Sequence, residues 1–188
     1  HRGSARGDRM KVASLLIGVH AEANVIESIE DALSPFGERV LEFAAMRGVK
    51  ICPLALGQKY KEASATLARI GVDVDAWPVP PAGLFVVEER AVYLRSSSPM
   101  TCAHEFSHGL DCALGGGVYC SGYDSGLRAA FRHASAFVTP YAASSIDEYL
   151  AECVRAWVGI NDPDSPWPPA TRERLREMFK SGKGTTAF

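Results

Sequence analysis

An α+β fold, with a small mixed sheet packed beside a helix bearing two histidines and a second helix bearing two glutamates, follows from three features of the chain. Apolar residues recur at helical spacing over much of its length. Short runs at 49–54, 84–87 and 91–94 have the length and β-branched or aromatic content of strands. Two helical stretches, around 104–114 and 146–158, place histidines or carboxylates on one edge and apolar residues on the other.

The first element expected is an amphipathic helix over 11–33. Val12–Val19 with Lys11 before it has some look of a signal peptide, but its periodicity continues through Val25, Ile26 and Ile29. A second helix over 36–47 ends at Gly48, before the strand at 49–54. Lys59–Ile70 reads as one helix closed by Gly71. Trp77-Pro78-Val79-Pro80-Pro81 and Gly83 form an ordered loop that could wall a cleft, followed by a hairpin of 84–87 and 91–94 across Glu88-Glu89-Arg90. A helix is expected over 121–136, a turn-rich stretch over 161–169 and a charged terminal helix over 170–181.

Length and composition suit one domain. Of 188 residues, 47% are hydrophobic, enough to bury a good core. The organisation expected is a lead at 1–9, either a vector-derived remnant beginning His1-Arg2-Gly3-Ser4 or disordered, and a single domain over 10–188. With 20 basic and 22 acidic residues, charge makes no case for nucleic acid or an anionic membrane. No apolar run approaches the length needed to cross a bilayer. The five cysteines, Cys52, Cys102, Cys112, Cys120 and Cys153, contain no Cys-x-x-Cys pair that could hold zinc. Cys112 and Cys120 are close enough to bridge the glycine loop, although reduced thiols are favoured.

The chemistry concentrates in His104-Glu105-Phe106-Ser107-His108. Histidines four apart on a helix lie one turn above each other, about 5–6 Å between Cβ atoms. That spacing lets two ring nitrogens reach one tetrahedral zinc ion at about 2.0–2.1 Å, and Glu105 can take the proton of an attacking water. At about 100° per residue from His104, His108 falls at about 40°, Asp111 at about −20° and Glu105 at about 100°. Cys102, Phe106, Leu110 and Ala113 fall on the opposite side, and Gly115-Gly116-Gly117 ends the helix. Asp111 is either a partner for the ring of His108 or a solvated surface acid.

A catalytic zinc site wants three protein ligands and an open position. No third histidine follows within Gly109–Gly117, which leaves His133 or the acids of Ile146-Asp147-Glu148-Tyr149-Leu150-Ala151-Glu152. His133 reads as structural. Glu148 can reach the metal from across a cleft, with Glu152 one turn behind to accept the other N–H of a ligating histidine. The same residues also fit a capping box, Ser145-Ile-Asp-Glu148. Paired with the upstream helix, the ligand reading is favoured.

His-Glu-Phe-Ser-His-Gly-Leu-Asp at 104–111, then Tyr141 seven residues before Glu148 and Glu152 four after it, resembles the catalytic domain of anthrax lethal factor and the secreted Pro-Pro endopeptidases, members of the zincin superfamily. The resemblance spans about residues 50–160 and is tight in the two helices alone. It implies a zincin-like fold, one zinc ion on His104, His108 and Glu148, Glu105 as general base, Tyr141 donating to the oxyanion or leaving group, and Glu152 orienting a ligand. The implied activity is zinc-dependent hydrolysis of peptide bonds in a polypeptide substrate, and the implied setting a bacterial toxin or secreted effector domain. Ala142-Ala143-Ser144-Ser145 departs from the Gly, Thr or Asn that relatives often place there. The competing readings are a noncatalytic zinc-binding or partner-binding module, and a zinc hydrolase acting on a nonprotein amide.

Overall fold

A computed structural model describes residues 12–160 together with Glu173, Arg176 and Glu177. The lead at 1–9, the stretch at 161–169 and, apart from those three residues, the helix expected at 170–181 lie outside the described residues.

Three short strands make the sheet: β1 (Lys50–Pro53), β2 (Gly83–Val86) and β3 (Ala91–Leu94), in the order β1-β3-β2. β3 pairs parallel with β1, Ile51 opposite Val92, and antiparallel with β2, Phe85 opposite Val92. The sheet is therefore mixed, as expected. All four residues of β3 are buried, which suits the unbroken apolar run Ala-Val-Tyr-Leu in a strand covered on both faces. The β2–β3 hairpin turns through a 3₁₀ segment, Val87–Glu89, with Arg90 in the left-handed region at φ 51°. The strand that directly precedes the two-histidine helix, β3, is central, and among the described residues the free edge belongs to β2.

The helices α1 (Ala23–Leu33) and α2 (Glu38–Met46) pack beneath α5 (Pro99–Leu114). The single helix expected over 11–33 is interrupted: a helical turn at 12–14 gives way to an isolated parallel bridge between Ile17 and Ile51. Ile51 N donates to Leu16 O at 2.6 Å, and Gly18 N donates to Ile51 O at 2.9 Å. Backbone pairing with the sheet thus replaces helical bonds that the apolar spacing alone would favour. The helix expected over 59–70 is likewise two, α3 (Tyr60–Ala63) and α4 (Ala65–Ile70), split at Ser64. Ser64 is extended, and its hydroxyl caps α4 by accepting from Leu67 N, the competition with helix that serine side chains offer. The same hydroxyl donates to the Glu89 carboxylate, which also accepts from Tyr93 Oη at 2.5 Å. Gly71 closes α4 at φ 71°.

α5 begins with Ser98 capping Thr101 N and Pro99 in its first turn, and ends in glycines, with Gly116 and Gly117 at φ 68° and 114°. The helix expected over 121–136 is shorter, α6 (Ser125–Arg132), because Asp124 caps it only after a 3₁₀ turn at Cys120–Gly122. α7 (Ile146–Val154) is capped by Ser145 and widens into a π-helical segment, Arg155–Ile160. All five cysteines are buried outside any disulfide, so Cys112 and Cys120 are not bridged. No helix among the described residues is long and apolar enough to cross a membrane.

Phe36 and Phe106 anchor the main core, both fully buried and edge-on at 4.8 Å between ring centroids. Because Phe106 lies between Glu105 and Ser107, this contact fixes the rotation of α5 about its axis. Phe36→Ala is expected to cost about 3–5 kcal/mol in urea unfolding, and a double-mutant cycle with Phe106→Ala should return a coupling of about 0.5–1.5 kcal/mol.

Candidate metal centre

His104 and His108 project from one face of α5, one turn apart, with ring centroids 4.9 Å from each other. Glu148 comes from the first turn of α7, which packs across α5. Its Oε2 lies 2.9 Å from His104 Nε2 and its Oε1 3.2 Å from His108 Nε2. Ser145 still caps Glu148 N at 3.3 Å, but the Glu148 carboxylate turns to the histidines instead of completing the capping box. One donor atom from each of the three residues lies within 4.8 Å of the others, a group able to hold a metal ion.

Its donor chemistry fits a zinc-like cation. In a tetrahedral site with bonds of about 2.0–2.1 Å, neighbouring ligand atoms stand roughly 3.3 Å apart, close to the separations observed. His104 Nδ1 faces Glu152 Oε2 at 3.0 Å. With the proton on Nδ1, the lone pair of Nε2 opposes a carboxylate oxygen at 2.9 Å, and only a cation or a shared proton relieves that. Oε2 of Glu148 is buried and lies against that ring nitrogen.

The ionisation tendencies agree. Burial pulls His104 down, but hydrogen bonds to Glu148 and Glu152 overcome it and raise the imidazole to about 9. Burial pushes Glu148 and Glu152 up, and their bonds to the histidines, and for Glu152 also to Arg155, bring both carboxyls down to about 2.

Around this group, Glu105 is half-buried beside the ligands, and burial raises its carboxyl against the opposing pull of His108 and His104. Tyr141 occupies a 3₁₀ turn, Pro140–Ala143, its ring 5.9 Å from that of His104. Burial, the charge of Glu148 and a hydrogen bond to it raise the phenol to about 12. Glu152 is held on both oxygens: Oε2 by His104 Nδ1 and by Arg155 Nε at 2.6 Å, and Oε1 by Thr139 Oγ1 at 2.8 Å.

Asp111 departs from the role expected of it. It is fully buried, and its carboxylate accepts from Ser121 N at 2.9 Å and Ser121 Oγ at 2.5 Å. It secures the 120–122 turn, while His108 Nδ1 is buried without a hydrogen-bond partner among the described residues. A turn donor 10 residues on satisfies the acid before the ring one helical turn back can do so. His133 is exposed at the end of α6, outside the group.

Sequence reasoning passed over Thr139 and Arg155. Arg155 carried a readable signal, standing three residues after Glu152 on a helix face; Thr139 carried none. Gly83 was placed in a cleft wall but its contact was not foreseen. A Cβ at Gly83 would stand 2.7 Å from Glu105 Cγ and 2.8 Å from Thr101 Cγ2, so the bare backbone of β2 lets Glu105 lie against the sheet edge. The site opens to a cleft of about 290 Å³ whose lining includes Pro81, Gly83, Met100, Tyr141 and Arg155. A larger hollow of about 520 Å³ beside Pro53, Leu56 and Arg95 shares no residue with this site.

No model of a known protein family matches the chain, and no curated protein does. Among solved structures the chain is similar to the Pro-Pro endopeptidase from Paenibacillus alvei, with a TM-score of 0.56 and 16% identity over 90% of this chain and 94% of that one. At that identity the likeness establishes a shared fold.

Gly83→Ala should force Glu105 or Thr101 aside. An overpacking cost of about 1–3 kcal/mol is expected in chemical denaturation, with a crystal structure of the variant placing the Glu105 carboxylate away from its present position. An unmoved Glu105 at unchanged stability would count against this contact.

Proposed function

We propose that the chain is a zinc-dependent metalloendopeptidase that hydrolyses peptide bonds in a protein substrate. The observation that carries this reading is the meeting of His104, His108 and Glu148 within 4.8 Å, with Glu105 beside them. Zinc on these three ligands would polarise the scissile carbonyl and lower the pKa of water toward about 7.

The chain's own residues supply the rest. Glu105 takes a proton from the attacking water and returns it to the departing amine, and its raised carboxyl suits a group that must both accept and release. Tyr141 donates to the oxyanion; a phenol raised to about 12 keeps its proton throughout the neutral range. Glu152 holds His104 by Nδ1, which leaves Nε2 for the metal. The free edge of β2, ending at Gly83 beside Glu105, offers backbone N–H and C=O groups to an extended substrate. The name of the structural neighbour makes Pro-Pro bonds the first to test. A noncatalytic module would need neither Glu105 nor Tyr141 beside the ligands. The toxin or effector setting draws no support from the fold comparison.

The wild type is expected to bind one zinc ion and to cleave peptides, with a chelator abolishing turnover and zinc restoring it. His108→Ala and Glu148→Ala should weaken zinc binding by more than about 100-fold, beyond what outer residues of such sites typically contribute. Glu105→Gln, at equal zinc content, should keep the metal and lose about 10²–10⁴ in kcat. Tyr141→Phe should lose about 10²–10³ in kcat. Zinc titration against a chromogenic chelator reads the binding changes and mass-spectrometric assay of peptide cleavage the turnover, and a Glu105→Gln variant as active as the wild type would overturn the peptidase reading.

A further inference from the structure

We propose that Arg155 is a positioning residue for the metal centre, acting through Glu152 on the ring of His104. This rests on the metal reading above and adds to it a residue that the motif does not assign.

Arg155 Nε donates to Glu152 Oε2 at 2.6 Å, and the same oxygen meets His104 Nδ1 at 3.0 Å. Thr139 holds only the other oxygen, Oε1, at 2.8 Å. A glutamate terminal torsion is soft, so a single anchor on Oε1 would leave Oε2 free to swing. Arg155 supplies the second anchor and fixes the carboxylate plane. That plane sets the direction of the Nδ1 hydrogen bond, hence the direction in which Nε2 of His104 points.

Stability alone does not account for an arginine here. Arg155 is 4% exposed, and its Nη1 is buried without a hydrogen-bond partner among the described residues. Burying a guanidinium with an unanswered donor is unfavourable, and an apolar side chain of similar length commonly packs as well or better. Arg155 also opens the π-helical segment Arg155–Ile160 and lines the cleft; π turns are rare and occur frequently at functional sites. The charged group is therefore placed for what Nε holds.

The test uses the full chain, with zinc titrated against a chromogenic chelator, thermal unfolding of the metal-free protein, and the visible spectrum of the cobalt(II)-substituted protein. Arg155→Met is expected to bind zinc about tenfold more weakly and to shift the cobalt spectrum, with a metal-free Tm equal to or above that of the wild type. In a Glu152→Gln background, Arg155→Met should add no further loss, because its effect passes through that carboxylate. Arg155→Lys, which keeps charge without the planar Nε, should fall between. Wild-type zinc affinity and spectrum in Arg155→Met would overturn the proposal, as would an undiminished loss in the Glu152→Gln background. Should Arg155→Met not fold, Arg155→Lys decides on the same zinc scale, and an unchanged affinity there overturns it. A wild type that binds no zinc overturns both this proposal and the metal reading; a wild type that binds zinc as tightly as its Arg155 variants overturns this one alone.

Discussion

One carboxylate facing two imidazoles from a different helix is the constraint around which this molecule is arranged. Glu148 reaches His104 and His108 at 2.9 and 3.2 Å only because α7 packs against α5 with its first turn beside the His-Glu-Phe-Ser-His stretch. That placement depends in turn on apolar packing beneath it. Phe106 and Leu110 on α5, and Leu150 and Val154 on α7, lie in one buried cluster with Phe36. Side chains on the far faces of the helices thus decide whether the near faces can share a cation.

The electrostatics would be costly without such a cation. Glu105, Glu148 and Glu152 crowd two histidines in a largely dehydrated site, and Arg155 answers only one of the three acids. Buried charges persist when they are paired or coordinate a metal. The elevation of His104 to about 9 comes from its hydrogen bonds to Glu148 and Glu152, which outweigh burial. Outward from the ligands, a hydrogen-bonded layer of Glu152, Thr139 and Arg155 restrains one histidine. The other has no such brace, since Asp111 is committed to Ser121. The two rings are therefore held unequally, His104 by hydrogen bonds and His108 by packing, including Tyr119 at 5.6 Å.

Legibility varied along the chain with the range of the forces involved. The hairpin of β2 and β3, the glycine end of α4 and the Ser98 cap of α5 depend on neighbours within a few residues. Their signals lie in consecutive letters. The division of 11–33 does not. Val12, Leu15, Val19, Ile26 and Ile29 keep helical spacing, yet Ile17 in the same stretch pairs with Ile51, a residue 34 positions away, and no periodicity within 11–33 encodes that partner. Ser64 splits α3 from α4 for a similar reason, its hydroxyl answering Glu89 from the hairpin turn. For Asp111, the helical wheel shows only its own helix, and the donors that claimed it come from a turn that the wheel does not contain.

The amino-acid order by itself determined which chemistry was available. Two histidines one helical turn apart, with a glutamate between them, follow from spacing and the fixed rise of a helix. The ring of acids and donors was decided by tertiary structure alone: which carboxylate faces which nitrogen, that β2 and not β3 is the open edge, and that Gly83 leaves room for Glu105. The physical reason is that local order fixes directions along one element, whereas contact at 3 Å between elements depends on how their apolar faces pack, a property of pairs distant in the chain.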